Sequence, residues 1–203
     1  MTRTAVYSTA LVALVAATVM TITSIVSPNW VSLSVPSPSG GTVTDTIGLH
    51  RRCASSTGSC APFPEPSRCD GSDGDGSGPS FCSMWRTTGF LMSFAVVAEL
   101  ATLVGFLVIL AGGRIKREGG WKVLGGLLAA VAAAQFLGMA VVAYLFDHDD
   151  LFLVPGYRLD SSWYLCTVSA SAALLAGVGL AISALVLPPE DGYSQLLNDS
   201  NGV

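Results

Sequence analysis

Four apolar blocks, at residues 7–27, 88–111, 123–146 and 163–187, leave this chain few ways to fold. Each is long enough to cross about 30 Å of hydrocarbon, which takes roughly 20 helical residues. Lipid offers no water to backbone N–H and C=O groups, so a spanning segment is either a helix or a strand of a closed barrel. The blocks lack the apolar/polar alternation of barrel strands. The expected fold is an all-α membrane protein: a four-transmembrane-helix bundle with a small antiparallel β-sheet in the first extracellular loop. Helix breakers stand at the block ends, with Pro28 after the first, Gly112-Gly113 after the second and Pro188-Pro189 after the fourth.

Charge supports this reading. Only 12% of the 203 residues are charged, against about 25% in soluble domains. The net charge of −4 argues against nucleic acid as a partner, because phosphate binding needs clustered Lys and Arg. The first block follows Arg3, as in a signal peptide, but it exceeds the length of an h-region and no Ala-x-Ala site follows it. It is expected to stay as an anchor.

The loops set the expected orientation. The link at residues 112–122 is short and holds Arg114, Lys116, Arg117 and Lys122, which places it in the cytosol. The first loop, 28–87, also carries arginines (Arg51, Arg52, Arg68, Arg86), matched by Asp45, Glu65, Asp70, Asp73 and Asp75. Loops of that length translocate with little regard to charge. The third link, 147–162, is acidic and expected outside. Residues 1–6 and the tail 188–203 are then both cytosolic, in a multi-pass plasma-membrane protein.

Within the first loop, residues 30–35 and 42–47 alternate with period two and are separated by turn composition at 36–41. They read as two strands, with a third across 49–53. Residues 61–80 turn to Pro, Gly, Ser and Asp and read as a flexible insert without a core of its own. Four of the five cysteines, Cys53, Cys60, Cys69 and Cys82, lie in this loop. On an oxidising side they are disulfide candidates, and three pairings are open. Zinc is the competing reading, but no Cys-x-x-Cys pair is present. Cys166 lies inside the fourth span and reads as a small buried apolar residue.

Four spans, a long first extracellular loop, Trp30 near its start, and Gly48-Leu49-x-x-x-Cys53 followed by Cys60 resemble the claudin superfamily. That group includes peripheral myelin protein, the γ subunits of voltage-gated calcium channels and fungal four-span plasma-membrane proteins. The family pattern is Trp, Gly-Leu-Trp-x-x-Cys, Cys. Here His50 stands in place of the second Trp, and the two cysteines are closer together than is typical. Arg86 matches a basic residue common in claudins at the entry to the second span. The resemblance implies that Trp30, Gly48, Leu49, Cys53 and Cys60 are scaffold residues fixing the sheet to the bundle, with Cys53 bonded to Cys60. The additional pair Cys69 and Cys82 then forms a second disulfide, and with the Gly/Ser/Asp insert it resembles the fungal branch.

Glu99 falls near the middle of the second span, where a charge costs at least roughly 2.5–3.5 kcal/mol. It is either an ion or proton site, a contact for a partner helix, or a packed carboxyl group bonded to Gln135 or to a Ser or Thr of another span. One isolated ionisable group makes no relay, so the packed reading is expected. Asp147-His148-Asp149-Asp150 reads as a solvated acidic loop rather than a cation site. The run from Asp70 to Gly76 has Cys82 where a calcium loop needs Glu, so it is not an EF-hand. Asn198-Asp199-Ser200 is a glycosylation sequon on an expected cytosolic tail. Small residues at four-residue spacing (Gly126, Ala130, Ala134, Gly138; Ala173, Gly177, Ala181) read as helix-packing faces within the bundle rather than a dimer seam.

No nucleophile–base arrangement, P-loop or dinucleotide fingerprint is present in the sequence, so no enzyme, metal or cofactor is expected. The expected function is a claudin-like organiser of membrane or cell-surface contacts. Its partners are the lipid bilayer and either itself or another membrane protein, met through extracellular loops or transmembrane faces. In a fungal setting the resemblance implies roles at the cell cortex, at the wall or in sensing. The alternative is an auxiliary, γ-like subunit modulating a channel or transporter.

Overall fold

A computed structural model describes residues 3–36, 41–69 and 79–186. In chain order the elements are α1 (Arg3–Val26), β1 (Val31–Pro36), β2 (Thr42–Ile47), β3 (Arg51–Ala54), β4 (Ser59–Pro62), α2 (Pro66–Cys69), α3 (Pro79–Ala111), α4 (Gly113–His148), β5 (Tyr157–Leu159) and α5 (Ser161–Val186). Four of the helices are long and apolar enough to cross a membrane. α1 packs against α3 and α5, and α4 against the same two, so the bundle runs α1–α3–α4–α5 around its axis.

Two helices are longer than a crossing of the hydrocarbon requires. α3 has 33 residues and α4 has 36, about 50 Å each or more at 1.5 Å per residue. α3 begins at Pro79, where a proline suits the first helical turn because its missing N–H has no intrahelical partner anyway. Its first turns carry Phe81, Cys82 and Trp85 into the core under the sheet. The segment 112–122, expected as a basic loop, is helical from Gly113 onward. Its Lys and Arg residues are good helix formers, and Gly112 alone separates α3 from α4.

The sheet is antiparallel throughout, in the order β4-β3-β2-β1-β5. β1 and β2 coincide with the two alternating runs. The third strand lies two residues later than expected, at Arg51–Ala54. β4 begins inside the first loop's cysteine region and enters the expected insert 61–80, whose described part also holds Phe63, buried at 7%, and α2. Gly58, at φ 62°, lets the chain reverse between β3 and β4. The fifth strand comes from the link between α4 and α5, so both loops on this side form one sheet. Arg158 Nε donates to Ser32 Oγ at 3.2 Å across the β1–β5 pair.

The apolar core lies in two parts. One fills the space between the sheet and the bundle around Trp30, Ile47, Trp85 and Phe152. The other lies lower, around Tyr7, Leu14, Phe106, Leu124 and Leu128. The four-residue stripe of α4 splits between environments. Ala134 and Gly138 are buried, whereas Gly126 and Ala130 face outward. A Cβ on Gly138 would stand 2.6 Å from Met92 Cε of α3, and one on Gly177 3.4 Å from Leu128 Cβ of α4. These glycines serve packing inside the bundle.

Candidate functional site

The residues singled out by the motif meet where the sheet stands on the bundle. Trp30 is fully buried, and its Nε1 donates to the Ser24 carbonyl at the end of α1, at 2.7 Å. Its backbone N–H bonds Ile47 of β2 at 3.0 Å, and its carbonyl accepts from Asp160 N at 3.0 Å, just before α5. One residue thus ties α1, the sheet and the start of α5. Gly48 lies against the exit of α1: a Cβ there would stand 2.6 Å from Pro28 Cα and 3.2 Å from Ser27 O. Leu49 is buried, and its carbonyl accepts from Trp85 Nε1 at 3.2 Å.

Trp85 was not singled out in the sequence, yet it is the central aromatic under the sheet. It stacks on Phe81 at 5.6 Å and meets Phe63 edge-on at 5.3 Å. Its helical spacing from Phe81 and Cys82 was the available signal. His50 is exposed.

Cys53 is bonded to Cys60, across directly paired positions of β3 and β4. Cys69 is bonded to Cys82, which clamps α2 to the first turns of α3. Cys166 is a buried free thiol. A closed loop of the larger bridge's length contributes about 3 kcal/mol. Cys82→Ser is therefore expected to lower the thermal midpoint in detergent clearly, whereas Cys166→Ser changes it little. Non-reducing peptide mapping provides the control for pairing.

Between β2 and β3, Arg52 Nε donates to Asp45 Oδ2 at 2.8 Å, and its Nη2 bonds the same oxygen. The hydrogen bond to Asp45 raises Arg52 above the ordinary guanidinium value, against the opposing effect of burial. This pair holds its charges close to the sheet face. In the sequence both residues count only as charges of the first loop.

A second constellation lies inside the bundle. Glu99 of α3 and Gln135 of α4 are both fully buried. Glu99 Oε1 accepts from Thr21 Oγ1 of α1 at 2.9 Å and from Gln135 Nε2 at 3.0 Å. Gln135 Nε2 also stands 2.8 Å from Thr21 Oγ1. Ser169 of α5 closes the group, with its hydroxyl 2.7 Å from Thr21 Oγ1 and 2.9 Å from the Ala17 carbonyl. Each of the four spans supplies one member.

Glu99 Oε2 and Gln135 Oε1 are buried without a donor. Among the described residues no Lys or Arg pairs with Glu99; the ion pair there is Arg52–Asp45. The arrangement crosslinks helices by hydrogen bonds. Glu99 is the one carboxyl group among its four members. The sequence did not select Thr21 or Ser169 from the many hydroxyl residues of the spans; the spacing of Thr18, Thr21 and Ser24 along one side of α1 was the available signal.

The acidic run at the end of α4 does not converge. His148 Nδ1 lies 3.0 Å from the Tyr144 carbonyl, its ring stacked on Tyr144 at 4.4 Å, and Asp149 Oδ1 accepts from Leu151 N at 3.0 Å. Among the described residues no three His, Cys, Asp or Glu side chains are placed to hold a metal ion. The run Asp70 to Gly76 and the sequon at Asn198 lie outside the described residues.

A multi-pass membrane protein with four spanning helices and a disulfide-bonded antiparallel sheet is the class these features define. No protein-family model matches the chain, and no curated protein sequence matches it.

Proposed function

We propose that this protein is a claudin-like, non-enzymatic organiser of membrane or cell-surface contacts in the plasma membrane, with its sheet outside and both termini in the cytosol. The observation that carries the reading is the sheet itself. It is fastened to three spans through Trp30, Gly48 and Trp85, while β4 at its edge is exposed along all four residues. A strand edge offers unpaired N–H and C=O groups, a common means of joining one chain to another. A rigidly held sheet with such an edge suits contact with a second copy or with another membrane protein.

Expression of this protein alone in cells that lack it tests the proposal. Accumulation in patches or at cell–cell contacts is expected, and a uniform distribution counts against it. Recovery of one stoichiometric channel or transporter after mild detergent extraction would instead favour the auxiliary-subunit reading. Orientation has its own test: a C-terminal tag should be reached by antibody only after permeabilisation, and a tag in the first loop without it. Labelling of the C-terminal tag in intact cells would overturn the proposed topology.

A further inference from the structure

A cleft of about 360 Å³ opens between the turn that follows β2 and the upper part of α3, within the roughly 300–1,000 Å³ range of small-ligand sites. Leu49, Phe63 and Phe90 give it apolar walls, and His50, Arg86 and Ser93 bring polar atoms to it. Gly89 shapes it, because a Cβ there would stand 3.3 Å from His50 Cε1, so the imidazole lies directly over the bare helix.

Arg86 is exposed and has no carboxylate partner among the described residues, since the ion pair there belongs to Arg52 and Asp45. Arg86 lies in the third turn of α3, beside the residues of α3 that pack under the sheet. Below the cleft one face of α3 continues as exposed apolar surface, with Phe90 69%, Phe94 48%, Val97 66% and Val104 60% accessible. These positions follow at intervals of four, three and seven residues, so they lie along one face of the helix.

We propose that the His50–Arg86 cleft binds the phosphodiester headgroup of a membrane phospholipid, whose acyl chain lies along Phe94, Val97 and Val104. A guanidinium matches phosphate oxygens with two parallel N–H donors, and the imidazole provides a further donor at the opposite wall. The apolar stripe leading out of the cleft distinguishes a lipid from a free phosphate, which has nothing to place there.

The test uses the intact, disulfide-bonded protein reconstituted with a phosphatidylcholine and then released into detergent for native mass spectrometry. The expected result is one retained phosphatidylcholine per chain, reduced roughly tenfold by Arg86→Gln, the scale of a charge-assisted hydrogen bond. Arg86→Lys should retain most of it, and Lys122→Gln, near the opposite end of the bundle, all of it. Diacylglycerol with the same chains should not be retained, nor should inorganic phosphate alone displace the lipid at millimolar concentration. Equal retention by wild type and Arg86→Gln, or equal retention of diacylglycerol, would overturn the proposal. If Arg86→Gln does not fold, His50→Ala carries the same comparison, and unchanged retention there has the same consequence.

Discussion

Trp30→Ala is expected to lower stability by about 3–5 kcal/mol, the range for deleting a large buried aromatic side chain. The indole is fully buried beneath the sheet, and its Nε1 satisfies the Ser24 carbonyl where α1 ends. Truncation both opens a cavity and strips that carbonyl of its partner. Trp30→Phe separates the two effects. It keeps most of the packing and loses the hydrogen bond, which should cost about 0.5–1.5 kcal/mol. Thermal unfolding midpoints in detergent, with the yield of monodisperse protein, provide the readout. Similar midpoints for Trp30→Ala and wild type would mean that the sheet is not anchored through this residue.

The second large effect is expected at Glu99, and it depends on the substitution chosen. Glu99→Ala removes the acceptor shared by Thr21 and Gln135 and leaves a void among four helices. Interhelical hydrogen bonds in membranes contribute only about 0.6 kcal/mol on average, so most of the loss should come from the cavity, for a total of about 2–4 kcal/mol. Glu99→Gln should behave differently. Its amide oxygen can take the place of Oε1, and its N–H₂ takes the place of Oε2, a buried oxygen that no donor reaches. Stability and membrane delivery near wild type are therefore expected. A Glu99→Gln protein that folds and inserts normally but loses a bound partner or a transport activity would show that the negative charge itself has a function there.

The two variants expose a division that runs through the whole molecule. The four spans were legible because lipid imposes a rule that block length alone can express: every backbone group must be satisfied within the segment. β1 and β2 were legible because alternation with period two survives in their sequences. The helix ends were less so. The first turns of α3 and α4 carry polar or basic residues, and a hydropathy reading ends a span where apolarity ends rather than where the helix does.

Partnership between distant residues was left to the tertiary structure. β5 is three residues long, too short to show a pattern. It is a strand because the free edge of β1 lies beside it. Phe63 sits in a Pro- and Ser-rich stretch whose composition hides its burial, and Trp85 acquires its role only when an overlong α3 rises under the sheet. Glu99 declared itself as a buried carboxyl group in the sequence, but Thr21 and Ser169 became its neighbours through the packing order of the bundle. Composition and periodicity act on residues near in the chain, so they determined the spans and the alternating strands β1 and β2. Closure of the sheet from two loops, and of the polar cluster from four helices, joins residues up to 152 positions apart; only the packed bundle holds that information.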